Sequence, residues 1–401
     1  MDMMTSEHLP QGAASRTPPG ELSRFASAAE MAQTLKPRDP VYCLYPHRLH
    51  AAFHRFQAGF KGDVLYAVKV NPEPAVLRQL YAAGLRHFDT ASLAEIALIA
   101  GLFPDAQCHY MAPMRPLGAL EEAYKRFGVR DFALDCADEL ETLLKVADKP
   151  GETTAFVRLA TVPHGAMFEL SSKFGSTPEE SAALVNRARD HGLKTALTFH
   201  VGSQSLNPAA FAEALQRIGE TLAMIKGPID YLDVGGGFPA PYPGLDVPPL
   251  EDFLAAIARM AVALGLPKGT RLMAEPGRIL VADGLSLLAQ VILRKGDKLY
   301  LNDGVYGSFM EAKIPGALLQ YPARALGPHG NETVDYTLYG PTCDSYDVVP
   351  GTFALPADLK IGDYVEFGMM GAYATAMRTH FNGFYPSRFV EIGAGSEPPL
   401  A

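Results

Sequence analysis

Residues that can do chemistry stand at the carboxyl ends of six strand-like apolar runs in this sequence. They are Lys69, Asp89, Arg158, His200, the triplet Gly235–Gly237 and Glu275. An amine can form a Schiff base, carboxylates and imidazoles hold or move protons, and glycine loops approach phosphates closely. One such residue alone is most often an ordinary surface residue. Six in equivalent positions indicate a functional site.

Lys69 is the candidate nucleophile. It follows the apolar residues of YAVK, so its amine is expected at the rim of a buried interior. Burial lowers the pKa of a lysine and favours attack on a carbonyl carbon, so we predict a lowered pKa for Lys69. A lysine whose stem packs on apolar surface while its ammonium stays in water is an equally weighted alternative.

Glu275, in EPGR, is a candidate partner for a buried cation. A carboxylate at that position needs a positive charge beside it, either a protonated ring nitrogen of a ligand or an arginine. Arg278, three residues later, is the nearest arginine. Both possibilities stay open on the sequence alone.

The segment DVGGGFP predicts a phosphate site. Its spacing matches neither a Rossmann fingerprint nor a P-loop. It follows the seventh strand-like run, however, and EPGR follows the eighth, which is where barrels commonly hold a phosphate group.

The roles of three other residues stay open when only the residue type and its neighbours are considered. His200 is a possible base or a packed core histidine, and Cys343 a possible acid or a small buried hydrophobe, whereas Asp303 lies in an Asn-Asp-Gly sequence typical of turns. The 11 histidines form no H-E-x-x-H motif or close cluster, so no metal site is expected.

Eight strand-like runs alternate with amphipathic helical stretches from Asp63 to Arg278. They are LYAVK, HFDTAS, CHYMA, DFALD, AFVRLA, TALTFHVG, YLDVGGG and RLMAEPG. Eight units of this kind predict an α/β fold built on a (β/α)8 barrel, whose active sites lie at the carboxyl ends of its strands. An open, doubly wound sheet is the alternative.

The regions before and after this central part differ from it in composition and in predicted secondary structure. Residues 1–22 are rich in Pro, Gly and Ser and are expected to be a flexible tail without a secretory signal. Residues 23–46 contain a strand, PVYCLYP, expected to complete a C-terminal β domain at 281–401, and residues 47–280 form the barrel. Within the β domain, strands are expected over 285–304, 333–351 and 360–384.

Composition limits the classes of function. The 401 residues are 48% hydrophobic and 20% charged with a net charge of −9, which is typical of a globular protein and argues against a nucleic-acid or membrane-surface partner. No apolar run reaches the roughly 20 residues that span a bilayer. The four cysteines show no paired spacing and indicate reduced thiols in a cytoplasmic protein.

Taken in order, these motifs resemble the fold-type III pyridoxal-phosphate decarboxylases, the group that contains ornithine and diaminopimelate decarboxylases. The resemblance is closest to the ornithine decarboxylases. It is carried, from Pro40 to Phe384, by YAVK, FDTAS, HVGSQ, DVGGGFP, EPGR, DGVYGSF, GPTCDSYD and GAYATAMRTHFNGF. It implies an alanine-racemase-like barrel with a β domain, pyridoxal 5'-phosphate as cofactor, and a homodimer with two shared active sites.

The resemblance also implies roles for individual residues. Lys69 would bind the cofactor covalently, His200 would stack on its ring, and Glu275 would pair with the ring nitrogen. The residues expected to support the ring and hold the phosphate are Asp89, Arg158, Ser203, Gly237, Gly277, Arg278 and Tyr373. Cys343, from the neighbouring subunit, would assist reprotonation after CO₂ leaves, and Phe381 would lie near the departing carboxylate.

The expected substrate is a basic L-amino acid. The resemblance places Asp344 of the neighbouring subunit at the site, and Asp344 and Asp303 are predicted to hold its distal ammonium between two carboxylates. An aspartate directly after Cys343 resembles the ornithine decarboxylases, so ornithine leads and lysine follows. The segments LATVPHGAMFEL and MAPMRP depart from the eukaryotic ornithine decarboxylase pattern and leave the length of the substrate open.

Four alternative functions fit the sequence less well. A diaminopimelate decarboxylase usually has glutamate after the cysteine, and a racemase needs a tyrosine where Cys343–Asp344 stands. A non-catalytic regulator should have lost Lys69, the glycine loop or Arg278, and all three are present. A barrel enzyme that acts on phosphorylated substrates without the cofactor would leave the C-terminal motifs unexplained.

Overall fold

The computed structural model describes residues 22–161, 166–168, 173–317 and 319–399, so the predicted tail lies almost wholly outside the described residues. The strands are β1 Arg24–Phe25, β2 Val41–Leu44, β3 Asp63–Ala67, β4 His87–Thr90, β5 Gln107–Tyr110, β6 Asp131–Leu134, β7 Thr154–Arg158, β8 Ala166–Phe168, β9 Lys194–Thr198, β10 Ser203–Ser205, β11 Tyr231–Asp233, β12 Arg271–Ala274, β13 Leu285–Lys295, β14 Lys298–Leu301, β15 Ala323–Leu326, β16 Thr333–Tyr339, β17 Phe353–Pro356, β18 Tyr364–Phe367 and β19 Arg388–Ile392. The helices are α1 Ala28–Leu35, α2 Pro46–Gly59, α3 Pro74–Ala82, α4 Leu93–Leu102, α5 Ala119–Phe127, α6 Ala137–Val146, α7 Pro178–Asp190, α8 Ala209–Leu222, α9 Leu250–Ala263 and α10 Arg278–Val281.

Eight parallel strands close into a barrel, in the order β3, β4, β5, β6, β7, β9, β11 and β12. All eight predicted runs are barrel strands, which confirms the (β/α)8 prediction and excludes the open sheet. The barrel interior is filled by a buried cluster that includes Leu65, Ala133, Phe156, Ala196 and Met273. Helices cover the outside, so the strands are buried on both faces and are apolar without alternation.

Hydrogen bonds at the N-terminus of a helix hold the loop between the helix and the strand that precedes it. After β4, the Ser92 side chain accepts the Glu95 N–H at 3.2 Å, and the Ala91 N–H donates to the Glu95 carboxylate at 2.7 Å. This reciprocal cap satisfies amide groups that a helix start otherwise leaves unpaired. The cap holds α4 close behind the strand that ends beside Asp89.

The remaining described strands, apart from the short β8–β10 pair, form a nine-stranded mixed sheet. β2 lies in this sheet between β13, to which it is antiparallel, and β19, to which it is parallel. The prediction that an early strand completes the C-terminal β domain is therefore confirmed. The expectation of a strand over 360–384 is only partly right, because β18 ends at Phe367 and turns follow. These turns leave the sheet and reach the mouth of the barrel.

Over the ranges given above, no helix combines the length and the apolar character that a membrane span requires.

Candidate active site

A cavity of about 640 Å³ opens at the carboxyl ends of the barrel strands. Its wall comes from the barrel on one side and from loops of the β domain on the other. Among the residues expected at the site, it is lined by Lys69, Asp89, Arg158, Ser203, Arg278 and Tyr373. The structure thus brings together residues that lie far apart in the sequence.

Lys69 lies in a short 3₁₀ turn, Val68–Val70, directly after β3. Its Nζ is 3.4 Å from Asp89 Oδ2, at the end of the neighbouring strand β4. The Asp89 carboxylate is 3% exposed and is the main reason that the pKa of Lys69 is raised above its usual value. The predicted lowering of this pKa is therefore wrong for the protein without its ligand, because the buried carboxylate outweighs the loss of hydration.

His200 follows β9 and is held by its own loop. The Gly202 N–H donates to His200 Nδ1 at 3.0 Å, so the proton of the neutral ring lies on Nε2. Burial, with Arg158 and Lys69 nearby, lowers the pKa of His200 well below its usual value. The site therefore contains a neutral imidazole.

Arg158 ends β7 and belongs to the same group of charges. Burial lowers its pKa, and the carboxyl groups of Glu275, Asp135 and Asp89 oppose that shift. The guanidinium also lies 5.2 Å from the centroid of the Phe174 ring.

Glu275 follows β12 and is 8% exposed. Burial and the neighbouring Asp233 raise the pKa of Glu275 well above its usual value. Asp233 already accepts hydrogen bonds from the Thr198 hydroxyl at 2.6 Å and from the Gly235 N–H at 3.0 Å. These hydrogen bonds favour the charged form of Asp233, so a proton shared by the pair is favoured on Glu275. The sequence reasoning did not single out Asp233, although it is the first residue of DVGGGFP.

Glycines at two loops permit a close approach of backbone to backbone. Gly235 and Gly237 have φ of +64° and +110°. A Cβ on Gly235 would lie 1.9 Å from the Phe199 carbonyl oxygen, and one on Gly237 would lie 2.4 Å from that of Gly202. At Gly277, a Cβ would lie 2.5 Å from Val70 Cγ2. Side chains at these positions would force the loops apart.

Arg278 begins α10 and is buried, and Glu275 is not its partner. Its guanidinium donates to both carboxylate oxygens of Glu311, with Nη1 at 3.0 Å from Oε2. It also donates to the Tyr242 hydroxyl at 3.1 Å and to Ser203 Oγ at 3.3 Å. Arg278 Nε is buried with no partner among the described residues. Neither Glu311 nor Tyr242 belongs to a recognised motif, so sequence reasoning missed both residues.

Tyr373 adopts the left-handed conformation, with φ of +61°. Its N–H donates to the Val70 carbonyl at 2.8 Å, and its ring centroid is 4.9 Å from the Arg278 guanidinium. Asn71 joins the same two loops, because its Nδ2 donates to the Gly371 carbonyl at 2.8 Å and its Oδ1 accepts the Thr375 hydroxyl at 3.0 Å. The Lys69 loop and the Tyr373 loop are therefore one connected unit.

Asp303 does not reach the cavity. It is 3% exposed, and its carboxylate accepts hydrogen bonds from the Gly304 N–H at 2.8 Å and from the N–H and hydroxyl groups of Ser308. Asp303 is not among the residues that line this chain's cavity, so its role in holding a substrate ammonium stays a prediction.

Cys343, Asp344 and Phe381 also lie outside this chain's cavity, in one surface cluster in which Cys343 and Phe381 are exposed and Asp344 is half-buried. The Phe381 ring stacks on Tyr306 with centroids 4.2 Å apart, and the Tyr306 hydroxyl donates to Asp344. Cys343 Sγ is 3.5 Å from the Asn382 side-chain oxygen. These residues are grouped together, on a surface open to solvent.

Comparisons with known proteins agree with this geometry. The family model for the pyridoxal-binding domain of pyridoxal-dependent decarboxylases matches residues 47–282. A lysine/ornithine decarboxylase of Selenomonas ruminantium is 36% identical over 81% of this chain and 82% of its own length. An ornithine decarboxylase of Schizosaccharomyces pombe is 33% identical over 86% of this chain and 80% of its own length.

A solved structure extends the similarity to three dimensions. A lysine/ornithine decarboxylase of Vibrio vulnificus, complexed with putrescine, superposes with a TM-score of 0.79 at 30% identity and covers 92% of this chain and 99% of that one. Both the barrel and the β domain are therefore shared. The chain belongs to the pyridoxal-phosphate-dependent decarboxylases of the ornithine and lysine decarboxylase family.

Proposed function

We propose that this protein decarboxylates a basic L-amino acid, with L-ornithine, giving putrescine, as the leading substrate and L-lysine as the second. The observation that carries the proposal is the convergence of Lys69, Asp89, Arg158, Arg278 and Tyr373 on one cavity. Relatives named for ornithine and for both lysine and ornithine support this substrate class.

The residues present fit the phosphate end of the cofactor. Gly237 packs against the backbone of Gly202, next to Ser203, and Gly277 directly precedes Arg278. The Ser203 hydroxyl lies 3.3 Å from Arg278. Arg278 Nε is buried and has no partner among the described residues, so it is available as a donor. With the Tyr373 side chain, these groups supply the donors that a phosphate requires.

The opposite end of the site fits the aldehyde and the ring. We propose that Lys69 binds the aldehyde covalently, that His200 packs on the ring and that Glu275 contacts the ring nitrogen, with Asp89 and Arg158 beside them. When bound, pyridoxal phosphate supplies an electron sink for the charge left at Cα as CO₂ departs. With its raised pKa, Glu275 would hold and share a proton at the ring nitrogen.

The chain's other residues orient the reactants and exclude water. Asp89 keeps the free Lys69 amine positively charged, so Lys69 must lose a proton before it attacks a carbonyl carbon. Met111, Phe168 and Ile314 add apolar wall to the cavity. An apolar wall disfavours a carboxylate and favours its departure as neutral CO₂.

We propose a homodimer with two shared sites, in which Cys343 and Asp344 reach the partner's cavity and Phe381 lies near the departing carboxylate. Cys343 and Phe381 are exposed and Asp344 is half-buried, and none of the three lines its own chain's cavity, which supports this arrangement. Cys343 would then hold the proton that is returned to Cα, and Asp344 would bind the distal ammonium.

Complementation tests the shared site. Mixtures of two inactive variants, Lys69→Ala and Cys343→Ala, should recover about a quarter of wild-type activity, because half of the dimers are mixed and each has one intact site. If the two variants are shown to exchange subunits and the mixture still has no activity, the shared site is contradicted.

The substrate experiment uses purified protein with pyridoxal phosphate. L-ornithine, L-lysine, L-arginine and meso-diaminopimelate are offered singly, and the amines are identified by mass spectrometry. Putrescine or cadaverine, absent with Lys69→Ala, is expected, and the ratio of kcat/KM values ranks the substrates. Lysine formed from diaminopimelate would overturn the substrate class, and no product from any of the four would overturn the proposal.

We also propose domain boundaries and a cellular location for the protein. The β2 pairing supports domain boundaries at residues 47–280 for the barrel and 281–401 for the β domain, with 23–46 as the joining segment. All four cysteines are unpaired, which supports a cytoplasmic location.

A further inference from the structure

Glu311 occupies an unexpected place beside the phosphate site. It lies in the 3₁₀ turn Met310–Lys313 of the β domain, is 3% exposed and lines the cavity. Both of its carboxylate oxygens accept hydrogen bonds from Arg278, the one arginine assigned above to the phosphate. A buried carboxylate therefore holds the cation that the phosphate needs.

The contacts of Arg278 show what this pairing does to an incoming anion. Nη1 is shared between Glu311 and the Tyr242 hydroxyl, and Nη2 between Glu311 and Ser203 Oγ. Only Nε is left without a described partner. A phosphate at this site would receive one free donor of the guanidinium and would meet a second negative charge beside it.

We propose that Glu311 is a built-in counter-charge that competes with the cofactor's phosphate for Arg278 and weakens the hold on pyridoxal phosphate. The inference rests on the proposed placement of the phosphate at Arg278. Without ligand, Glu311 keeps the buried guanidinium paired, which prevents the large cost of an isolated buried charge. With ligand, the same carboxylate opposes the phosphate, and the cofactor exchanges more readily.

Glu311→Gln tests the charge while preserving the shape of the side chain. Like charges a few ångströms apart in a partly buried site repel strongly, so removing one should lower the Kd for pyridoxal phosphate by about 10-fold or more. The variant also leaves Arg278 poorly paired in the free protein, so the rise in Tm on saturation with the cofactor should be larger than in the wild type.

The experiment compares two probes and two variants. Dissociation constants for pyridoxal phosphate and for pyridoxal, which lacks the phosphate, are measured by the absorbance of the imine formed with the protein. Glu311→Gln should tighten binding of pyridoxal phosphate and leave that of pyridoxal unchanged. Glu139→Gln is the matched control, since Glu139 also pairs with a buried arginine, Arg115, but does not line the cavity. It should change neither constant.

Any result other than tighter binding of pyridoxal phosphate alone by Glu311→Gln overturns the inference. Weaker binding of pyridoxal phosphate by Glu311→Gln would mean that Glu311 orients Arg278 for the phosphate and does not oppose it. An equal change for both probes, or no change, would mean that Glu311 acts elsewhere or not at all. If the wild type bound pyridoxal phosphate no better than pyridoxal, the phosphate placement and the proposed function that depends on it would fall as well.

Discussion

Asn71 is expected to be a large contributor to stability among the polar residues near the site. Its side chain is fully buried and makes three hydrogen bonds. It donates to the Gly371 carbonyl at 2.8 Å and accepts from the Thr375 hydroxyl at 3.0 Å and the Glu73 N–H at 3.1 Å. These bonds tie the loop after Lys69 to the loop that carries Tyr373.

The cost of losing this side chain follows from the groups left behind. Asn71→Ala leaves the Gly371 carbonyl and the Thr375 hydroxyl buried without partners. Each unsatisfied buried group costs about 1–3 kcal/mol, so unfolding should become about 2–6 kcal/mol easier. Thr375→Val removes one hydrogen bond but leaves Asn71 Oδ1 its bond from Glu73, and should cost only about 1 kcal/mol.

Urea denaturation of the cofactor-free protein measures both costs. The double variant should be less destabilised than the sum of the single variants, because the hydroxyl stranded by Asn71→Ala is then absent. Asn71→Ala should also weaken binding of pyridoxal phosphate, since Tyr373 is no longer held in its left-handed conformation. A free energy of unfolding within 1 kcal/mol of the wild type, or strict additivity, would refute the reasoning.

Two further predictions concern Asp303 and Gly237. Burial raises the pKa of Asp303 from 3.8 to about 6, so the native state binds the proton more tightly and the free energy of unfolding should fall by about 3 kcal/mol as pH rises through this range. In urea denaturation at several pH values, Asp303→Asn should lack this loss of stability with rising pH. A pH dependence equal to that of the wild type would contradict the prediction. Gly237→Ala should weaken binding of pyridoxal phosphate by about 10-fold or more, because its Cβ would lie 2.4 Å from the Gly202 carbonyl oxygen. Gly244→Ala, which has a left-handed φ of +79° but nothing within 4 Å, is the control and should bind the cofactor normally.

The barrel was predictable from sequence because its signal is local. Each strand is a short apolar run, and each is followed by an amphipathic helix, so the pattern repeats without reference to distant contacts. The β domain was predicted less well. Turn residues in 368–384 alternate with apolar ones as in a strand, and only the docking of these turns on the barrel distinguishes the two.

The site was predicted where motifs mark it and missed where partners come from elsewhere. Lys69, Arg158 and Tyr373 were found because strand ends and family motifs point to them. Glu311 was missed, because the buried arginine that it pairs with lies on another domain. The pKa of Lys69 was predicted in the wrong direction for a similar reason: Asp89 becomes its neighbour only when two strands pair.

The position of β2 has a consequence for the order in which the protein forms as it is synthesised. β2 lies between β13 and β19, and β1 pairs with β19, so the sheet needs both the first and the last of the described strands. The barrel strands lie in one continuous stretch of sequence and can associate earlier, whereas both edges of β2 stay unpaired until the C-terminal part has left the ribosome. Unpaired edges of apolar strands promote aggregation. Truncation within the last strand should therefore expose VYCL, at residues 41–44, to association with other chains, although the barrel itself remains intact.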